Sequence, residues 1–214
     1  MLRETILEEL QKDYTLTPRK MDDLETIKKG MTKIACEAYE IEGVGNLFLM
    51  NMKAMLGMMK METYVITPYE KDLSFCNLDT VEAMGNDTCL FEMYQTSLHK
   101  EDLSAFMSIK EKYQDLPDYD GGEHWYDSVR LSSSIGKKGK KIMLRSNEML
   151  KDCLMIYLEA LKNAPVCDKE AKKEVTRKYV EQLISEGGMA VDGLSKMIGK
   201  EQTTKLIKEY MYHV

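Results

Sequence analysis

Four β-strand patterns follow one another through the middle of the sequence, and the short connections between them constrain the fold more than any other feature. We expect strands at about residues 47–53, 58–67, 75–84 and 88–96, where apolar, aromatic and β-branched residues are frequent. Helical patterns stand at the start of the chain and from residue 146 to its end. Strands in the middle and helices at both ends predict an α+β fold, and the short connections predict an antiparallel sheet.

The remaining segments are assigned from local signals. A first helix is expected at residues 2–12, and Thr17 and Pro18 begin a second that runs to about residue 39, because Leu24, Ile27, Met31 and Ile34 recur at helical spacing. Residues 127–134 form a possible fifth strand, and residues 136–141 read as a basic surface loop. The other helices are expected at residues 100–113, 147–163, 168–186, 191–198 and 201–212.

Size and composition limit the classes of function. At 214 residues the chain is the size of one domain, and we expect a single domain over residues 1–214. Its net charge of -6 argues against binding of nucleic acid. No apolar run is long enough to cross a bilayer, so we expect no membrane partner. Five scattered cysteines without a CxxC pair, and histidines without metal-ligand spacing, predict no metal site and a reducing cytoplasmic location.

Glu92 is an acidic residue in the middle of the strand expected at residues 88–96. Side chains alternate between the two faces of a strand, so Glu92 shares a face with Leu90 and Tyr94. A carboxyl on an apolar face costs free energy unless it is paired, protonated or used. The sequence leaves two interpretations open, which are a functional acid and a strand whose Glu92 face is solvated.

Asp79 stands on the preceding strand, and the hairpin turn decides whether it faces the same way as Glu92. A two-residue turn at Asn86-Asp87 would pair Asp79 with Tyr94 and Val81 with Glu92, which puts both carboxyls on one face. A three-residue turn would separate them. Two neighbouring carboxyls raise the pKa of at least one of them, which makes a proton donor near neutral pH. Glu92 and Asp79 are therefore the candidate catalytic residues.

The candidate ligand wall combines this hairpin with a methionine-rich segment before it. Methionine is frequent between residues 46 and 68, where it either fills core space or forms a pliable wall around a large flat ligand. The expected wall residues are Val81, Leu90 and Tyr94 from the hairpin, with Tyr64, Ile66, Met50 and Met52 from the preceding strands.

The same hairpin resembles the ferredoxin-dependent bilin reductases. In that family a strand ends in proline, and a loop leads to a strand with an acid before apolar or β-branched residues. A turn and a second acid-bearing strand follow. The matching segments here are Val65-Ile66-Thr67-Pro68, Leu78-Asp79-Thr80-Val81, Gly85-Asn86-Asp87 and Leu90-Phe91-Glu92-Met93. Residues 179–182 and 194–212 look like the closing helices of the family.

The resemblance implies a three-layer α/β/α sandwich with a central antiparallel sheet. It also implies that a linear tetrapyrrole, or a similar large planar molecule, lies between the sheet and the C-terminal helices. No cofactor is bound in that family, and ferredoxin supplies the electrons. By matching position, Glu92 would donate protons to the bilin radical, with Asp79 as its neighbour on the sheet.

Two functional hypotheses follow. In the first, the chain is an oxidoreductase that binds and reduces a tetrapyrrole. In the second, it is a non-catalytic binding or interaction module that keeps the fold without redox activity. The hairpin lacks a histidine, and residues 73–77 keep only the Phe of the family's Pro–aliphatic–Phe–Gly run, which favours the second hypothesis.

Overall fold

An antiparallel sheet of eight strands forms the centre of the computed structural model, which describes residues 2–214. The strands are β1 (Leu16–Arg19), β2 (Thr26–Lys29), β3 (Thr32–Ile41), β4 (Gly45–Ala54), β5 (Met59–Pro68), β6 (Cys76–Ala83), β7 (Asn86–Met93) and β8 (Ile135–Gly139). Their order across the sheet is β1-β3-β4-β5-β6-β7-β8, and β2 pairs with β3. Strands β3 to β7 form a continuous meander, which confirms the four strands expected in the middle of the chain.

Helices lie on both faces of this sheet. They are α1 (Leu2–Asp13), α2 (Met107–Lys112), α3 (Met143–Asn163), α4 (Lys169–Glu186), α5 (Met189–Ile198) and α6 (Lys200–Lys205), and α6 continues as a π-helical segment at Leu206–Met211. The predicted cap of α4 is present, because Asp168 Oδ1 accepts a 2.7 Å hydrogen bond from the backbone N–H of Ala171. The breaks between α4, α5 and α6 fall at glycines, as expected.

The sheet separates two hydrophobic cores. On one face, alternate residues of β4 to β7 such as Leu49, Leu78 and Phe91 pack against α1 and α3. On the other face, residues such as Phe48 and Val65 pack against α4, α5 and the C-terminal segment. We call these the α3 face and the C-terminal face. The helices on both sides of one antiparallel sheet confirm the α+β class and the three-layer arrangement.

The helix expected at residues 17–39 is wrong. This segment forms β1, β2 and β3, with a tight turn at Gly30-Met31 between the paired residues Lys29 and Thr32. Leu24, Ile27 and Ile34 are buried as expected, but Met31 is 68% exposed at the turn. The apolar spacing fitted a helix, whereas Gly30 adopts a positive φ of 56° that suits a hairpin turn.

Two expectations for residues 127–141 are also wrong. Residues 127–134 do not form a strand, and the segment Trp125–Ser128 is a short 3-10 helix. Residues 136–139 of the basic run belong to strand β8, where Lys137 is buried, and only Lys140 and Lys141 lie in an exposed turn. The Lys137 ammonium group donates to the Leu116 carbonyl at 2.9 Å and to Asp118 Oδ1 at 2.7 Å, which compensates for its loss of solvent.

Across residues 2–214, no helix is both long and apolar enough to cross a membrane.

Candidate functional site

Asp79 and Glu92 project together from the C-terminal face. Asp79 lies opposite Leu90 on the neighbouring strand, and Glu92 lies opposite Asn77, so the two acids are diagonal neighbours. The shared face is as expected, but the pairing of Asp79 with Tyr94 is wrong. The turn falls at Met84-Gly85 instead of Asn86-Asp87. The pairing shifts by an even number of residues, which leaves every side chain on its expected face.

The Asp79 carboxyl is partly buried, and within the described residues its one hydrogen-bonding side chain is that of Thr63. The hydroxyl of Thr63, its partner on β5, donates a 2.6 Å hydrogen bond to Asp79 Oδ1. Burial raises the pKa of Asp79 from 3.8 to about 7, the Thr63 hydrogen bond lowers it in part, and the charge of Glu92 raises it further. Asp79 can therefore hold or release a proton near neutral pH.

Glu92 has a different environment, since it is paired with a cation. Its side chain is 12% exposed, and Arg130 approaches Glu92 Oε1 at 3.4 Å. The Tyr94 hydroxyl donates a 2.8 Å hydrogen bond to Glu92 Oε2. Arg130 also contacts Asp127 Oδ1 at 2.9 Å, so one guanidinium serves two carboxylates. Neighbouring acids with such different partners can take separate roles in proton transfer.

An aromatic cluster lies beside the two acids on the C-terminal face. The Tyr94 ring lies 4.9 Å from Tyr179 of α4 and 5.4 Å from Phe75, and Phe75 lies 5.0 Å from Tyr212 near the C-terminus, all between ring centroids. Burial raises the pKa values of Tyr94, Tyr179 and Tyr212 well above the usual phenol range, so these hydroxyls stay protonated. The sheet and the C-terminal helices thus meet through phenol and phenyl rings near the acids.

Trp125 and Tyr126 extend this cluster from the loop before β8. Trp125 lies 5.4 Å from Tyr179, and Tyr126 lies 5.6 Å from Tyr94. The Trp125 indole Nε1 is buried and has no hydrogen-bond partner within residues 2–214. A buried donor without a partner is costly, and an acceptor atom of a ligand would relieve that cost.

An open cleft of about 620 Å³ reaches Glu92 from the β8 side of the sheet. Leu90 and Glu92 form its floor, and cationic side chains line it together with acids and serines: Lys110, Arg130, Lys137, Asp118, Asp127, Ser132 and Ser134. A second cleft of about 480 Å³ shares Leu131 with it. The first cleft is large enough for a small-molecule ligand. Since Asp79 lies opposite Leu90, this partly buried acid stands one strand away from the cleft.

Most of the expected wall residues lie on the C-terminal face. Tyr94 and Met50 are buried in its core, and Met52 packs against that core. Leu90 lines the cleft, whereas Val81 lies between Met61 and Thr88 further along the sheet.

Tyr64 and Ile66 do not belong to this group. Both are buried on the α3 face, where the Tyr64 hydroxyl donates a 2.8 Å hydrogen bond to Glu62. The residues of β5 on the C-terminal face are instead Thr63, Val65 and Thr67. Placing Tyr64 and Ile66 beside Glu92 was wrong because adjacent strand residues point to opposite faces.

The residues that sequence reasoning missed are Thr63, Arg130, Tyr179 and Tyr212. Arg130 and Thr63 each meet an acid only through the tertiary fold. A local signal existed for the tyrosines, since Tyr179 falls on the apolar side of α4 and Tyr212 follows an apolar helical run. That signal indicates burial but not which acids the rings cover.

A comparison with solved structures finds the same fold elsewhere. No protein-family model matches the sequence, and no curated protein matches it either. The crystal structure of phytochromobilin synthase from tomato in complex with biliverdin superposes with a TM-score of 0.77 at 14% sequence identity. The match covers 99% of this chain and 82% of that chain. The chain therefore has the fold of phytochromobilin synthase, a ferredoxin-dependent bilin reductase, as the resemblance in the sequence implied.

Proposed function

We propose that this chain binds a linear tetrapyrrole beside Glu92 and reduces it, with Asp79 as the proton donor. The observation that carries the proposal is a carboxyl with a pKa raised to about 7 on the sheet face that also forms the floor of the cleft. The fold is shared with phytochromobilin synthase, which was crystallised with biliverdin. Leu90 offers an apolar surface to a planar ligand, and Lys110 and Arg130 offer charge to its carboxylates.

The two acids would divide the chemistry. Reduction of one double bond needs two electrons and two protons, and we propose ferredoxin as the source of the electrons. Asp79 would transfer its proton to the reduced ligand and become a carboxylate. Glu92 lines the open cleft and is close enough to act electrostatically on Asp79, so it would pass a proton from solvent back to the Asp79 carboxylate, which would then supply the second proton. This exchanges the roles expected from the sequence, where Glu92 was the donor.

Absorbance spectroscopy with biliverdin tests binding and reduction separately. Adding biliverdin to the wild-type protein should change the visible spectrum of the pigment with saturation. With reduced ferredoxin present, the wild type should bleach or shift that spectrum further. Asp79→Asn should keep the first change and lose the second by about a hundredfold or more in rate. An unchanged biliverdin spectrum with the wild-type protein would remove the proposal.

A matched control lies on the other face of the same sheet. Glu62 is an acid that accepts a hydrogen bond from a tyrosine, as Glu92 does, but it belongs to the α3 face. Glu62→Gln should leave both binding and reduction unchanged, whereas Glu92→Gln should slow reduction. Equal effects of the two substitutions would show that the loss comes from the sheet as a whole and not from the site.

A non-catalytic binding module is the alternative, and the aromatic cluster favours it. Tyr94, Tyr179 and Tyr212 pack together on the C-terminal face near the acids, and the cleft beside Glu92 is lined neither by these rings nor by Asp79. A ligand confined to the cleft would be bound without meeting Asp79. In that case the wild type would bind biliverdin but show no turnover with ferredoxin, and Asp79→Asn would have no effect.

A further inference from the structure

Three hairpin turns lie at one end of the sheet. Turns alternate between the two ends of an antiparallel meander, so the β2–β3, β4–β5 and β6–β7 turns share an end. We call their apolar residues the hairpin tips, which are Met31, Met55, Leu56, Met58 and Met84. At the opposite end, the corresponding connections bury their apolar residues, including Val44, Tyr69 and Leu73.

The hairpin tips are unusually exposed for large apolar side chains. Met31 is 68% exposed, Leu56 86%, Met58 65% and Met84 81%, and Met55 is 40% exposed. Single exposed apolar residues are common on protein surfaces, but these come from three separate turns and point past the same sheet end. Neither of the clefts beside β7 includes any of them.

The turn backbone does not explain this choice of residues. Met55, Leu56 and Met84 have positive φ angles of 52°, 55° and 51°. Glycine, asparagine and aspartate adopt this conformation with less strain and are also more soluble. Turn geometry and solubility therefore both disfavour methionine and leucine at these positions. This indicates that their side chains contact something outside the chain.

A row of lysines lies directly behind the tips on the α3 face. Lys28 pairs with Lys33, Lys33 with Lys53, and Lys53 with Lys60, across four neighbouring strands. Lys60 meets Glu82 at 3.5 Å, whereas Lys28, Lys33 and Lys53 have no ion-pair partner within the described part of the chain. Like charges placed directly opposite repel each other. The row stands out in a chain whose net charge is -6, and an anionic surface would complement it.

We propose that the hairpin tips dock on an anionic lipid surface, with the tips in the interfacial layer and the lysine row against the headgroups. The hairpin tips are separate points along one end of the sheet. Most of them are flexible methionine side chains, and no pocket lies between them. A fluid interface accepts such an arrangement, whereas a protein partner needs a fitted contact. The expectation of no membrane partner rested on the lack of a bilayer-spanning run, which concerns insertion across a membrane and not binding to its surface.

Sedimentation with vesicles tests this docking with the full chain. We expect binding to phosphatidylcholine vesicles that contain about 30% phosphatidylserine, weak binding to phosphatidylcholine alone, and release as salt is raised. Leu56→Asn combined with Met84→Asn should lower the partition coefficient about tenfold. Asparagine tolerates positive φ, so this variant should fold at least as well as the wild type. Lys33→Gln combined with Lys53→Gln should also lower binding about tenfold and weaken its salt dependence.

Matched controls place the same changes elsewhere on the surface. Leu144 and Val166 are 77% and 78% exposed away from the turns, and Leu144→Asn combined with Val166→Asn should leave vesicle binding unchanged. Lys178→Gln combined with Lys200→Gln removes two exposed lysines of the C-terminal helices and should also have no effect. Equal losses in the control and test variants would overturn the proposal, because binding would then follow total charge or apolarity.

Two further outcomes would also overturn it. The first is a wild-type protein that binds neither kind of vesicle. The second is binding of an acidic protein, probed with ferredoxin, that Leu56→Asn with Met84→Asn abolishes while vesicle binding does not occur. That result would assign the hairpin tips to a protein partner. Biliverdin binding is measured separately by absorbance, so failure of the docking proposal and failure of the proposed function remain distinguishable.

Discussion

Asp79 and Glu92 show how two acids on one sheet face acquire different chemistry from their neighbours. Asp79 has the Thr63 hydroxyl beside it, whereas Glu92 has the Arg130 guanidinium and the Tyr94 hydroxyl. A cation favours the charged form of a carboxyl, while burial disfavours it. The difference comes from residues on β5 and from the loop before β8, so the acids alone do not determine it.

The raised pKa of Asp79 predicts a specific dependence of stability on pH. Burial raises this pKa from 3.8 to about 7 in the folded protein. Between about pH 4 and pH 7 the unfolded chain loses the proton while the folded protein keeps it, so the free energy of unfolding falls as pH rises. Asp79→Asn should remove this loss and make the protein more stable than wild type at pH 8 by about 2–4 kcal/mol. Urea unfolding at pH 5 and pH 8 measures the difference, and parallel pH profiles for the two proteins would contradict it.

Thr63 should influence the pKa of the same Asp79 carboxyl. Its hydrogen bond lowers the pKa of Asp79, so Thr63→Val should raise that pKa further and move the loss of stability to higher pH. Thr67 lies on the same face of β5, and its buried hydroxyl has no hydrogen-bond partner in residues 2–214. Thr67→Val is therefore the matched control and should leave the pH profile in place. A shift of equal size in both variants would rule out the hydrogen bond as the cause.

At this scale the sequence predicts which side a residue faces but not which residue it meets. Strand alternation placed Glu92, Leu90 and Tyr94 on one face, a two-residue turn would add Asp79 to it, and the fold agrees. The same alternation rule puts Tyr64, an expected ligand-wall residue, on the opposite face of the sheet. The strand register depends on the turn, and partners of the acids such as Arg130 come from distant loops. Local sequence patterns contain neither kind of information.

At the scale of elements, the β6–β7 turn shows the effect of backbone geometry. Met84 and Gly85 both have positive φ, at 51° and 76°, as a two-residue type I′ turn requires. The Asn86-Asp87 pair suggested by the sequence instead lies at the start of β7. Gly85 supplies the second turn position without strain, and this favours the observed register over the expected one.

This turn predicts opposite effects for its two positions. Met84→Asn should raise the free energy of unfolding by about 0.5–1 kcal/mol, since asparagine accepts positive φ better than methionine. Gly85→Ala should lower it by about 1 kcal/mol, because alanine is strained at this φ and the added Cβ meets no neighbour that could compensate. Thermal or urea unfolding measures both. Destabilisation by Met84→Asn would show that the exposed methionine makes a contact within the fold.

The segments that were wrongly assigned lie towards the edges of the sheet. The meander β4 to β7 was predictable because each strand carries apolar residues on both faces and has a short connection to the next. Strands β1, β2 and β8 are polar on at least one face. Lys137 made β8 resemble a loop, and its burial depends on Asp118 and the Leu116 carbonyl, which the chain brings to it only on folding.

At the scale of the molecule, the sheet divides the protein into a face that carries structure and a face that we propose carries function. The α3 face is covered by α1 and α3 and includes the cysteines Cys76, Cys89 and Cys153, whose thiol pKa values burial raises. The C-terminal face contains both acids and most of the tyrosines near them. The α+β class followed from element order and the three layers from the family resemblance, whereas the assignment of function to one face required the strand register.

A matched pair of phenylalanines tests this division. Phe75 on the C-terminal face contacts Tyr94, Tyr179 and Tyr212, and Phe91 on the α3 face packs 5.3 Å from Phe106.

Both phenylalanines are fully buried, so replacing either with leucine should lower the free energy of unfolding by about 1–3 kcal/mol. Only Phe75→Leu should change the affinity for biliverdin or the absorbance of the bound pigment, because only Phe75 contacts the tyrosines near the acids. Urea unfolding and biliverdin titration of both variants give the comparison. A change in pigment binding with Phe91→Leu of the same size would mean that the two faces are coupled through the sheet, and the division would fail.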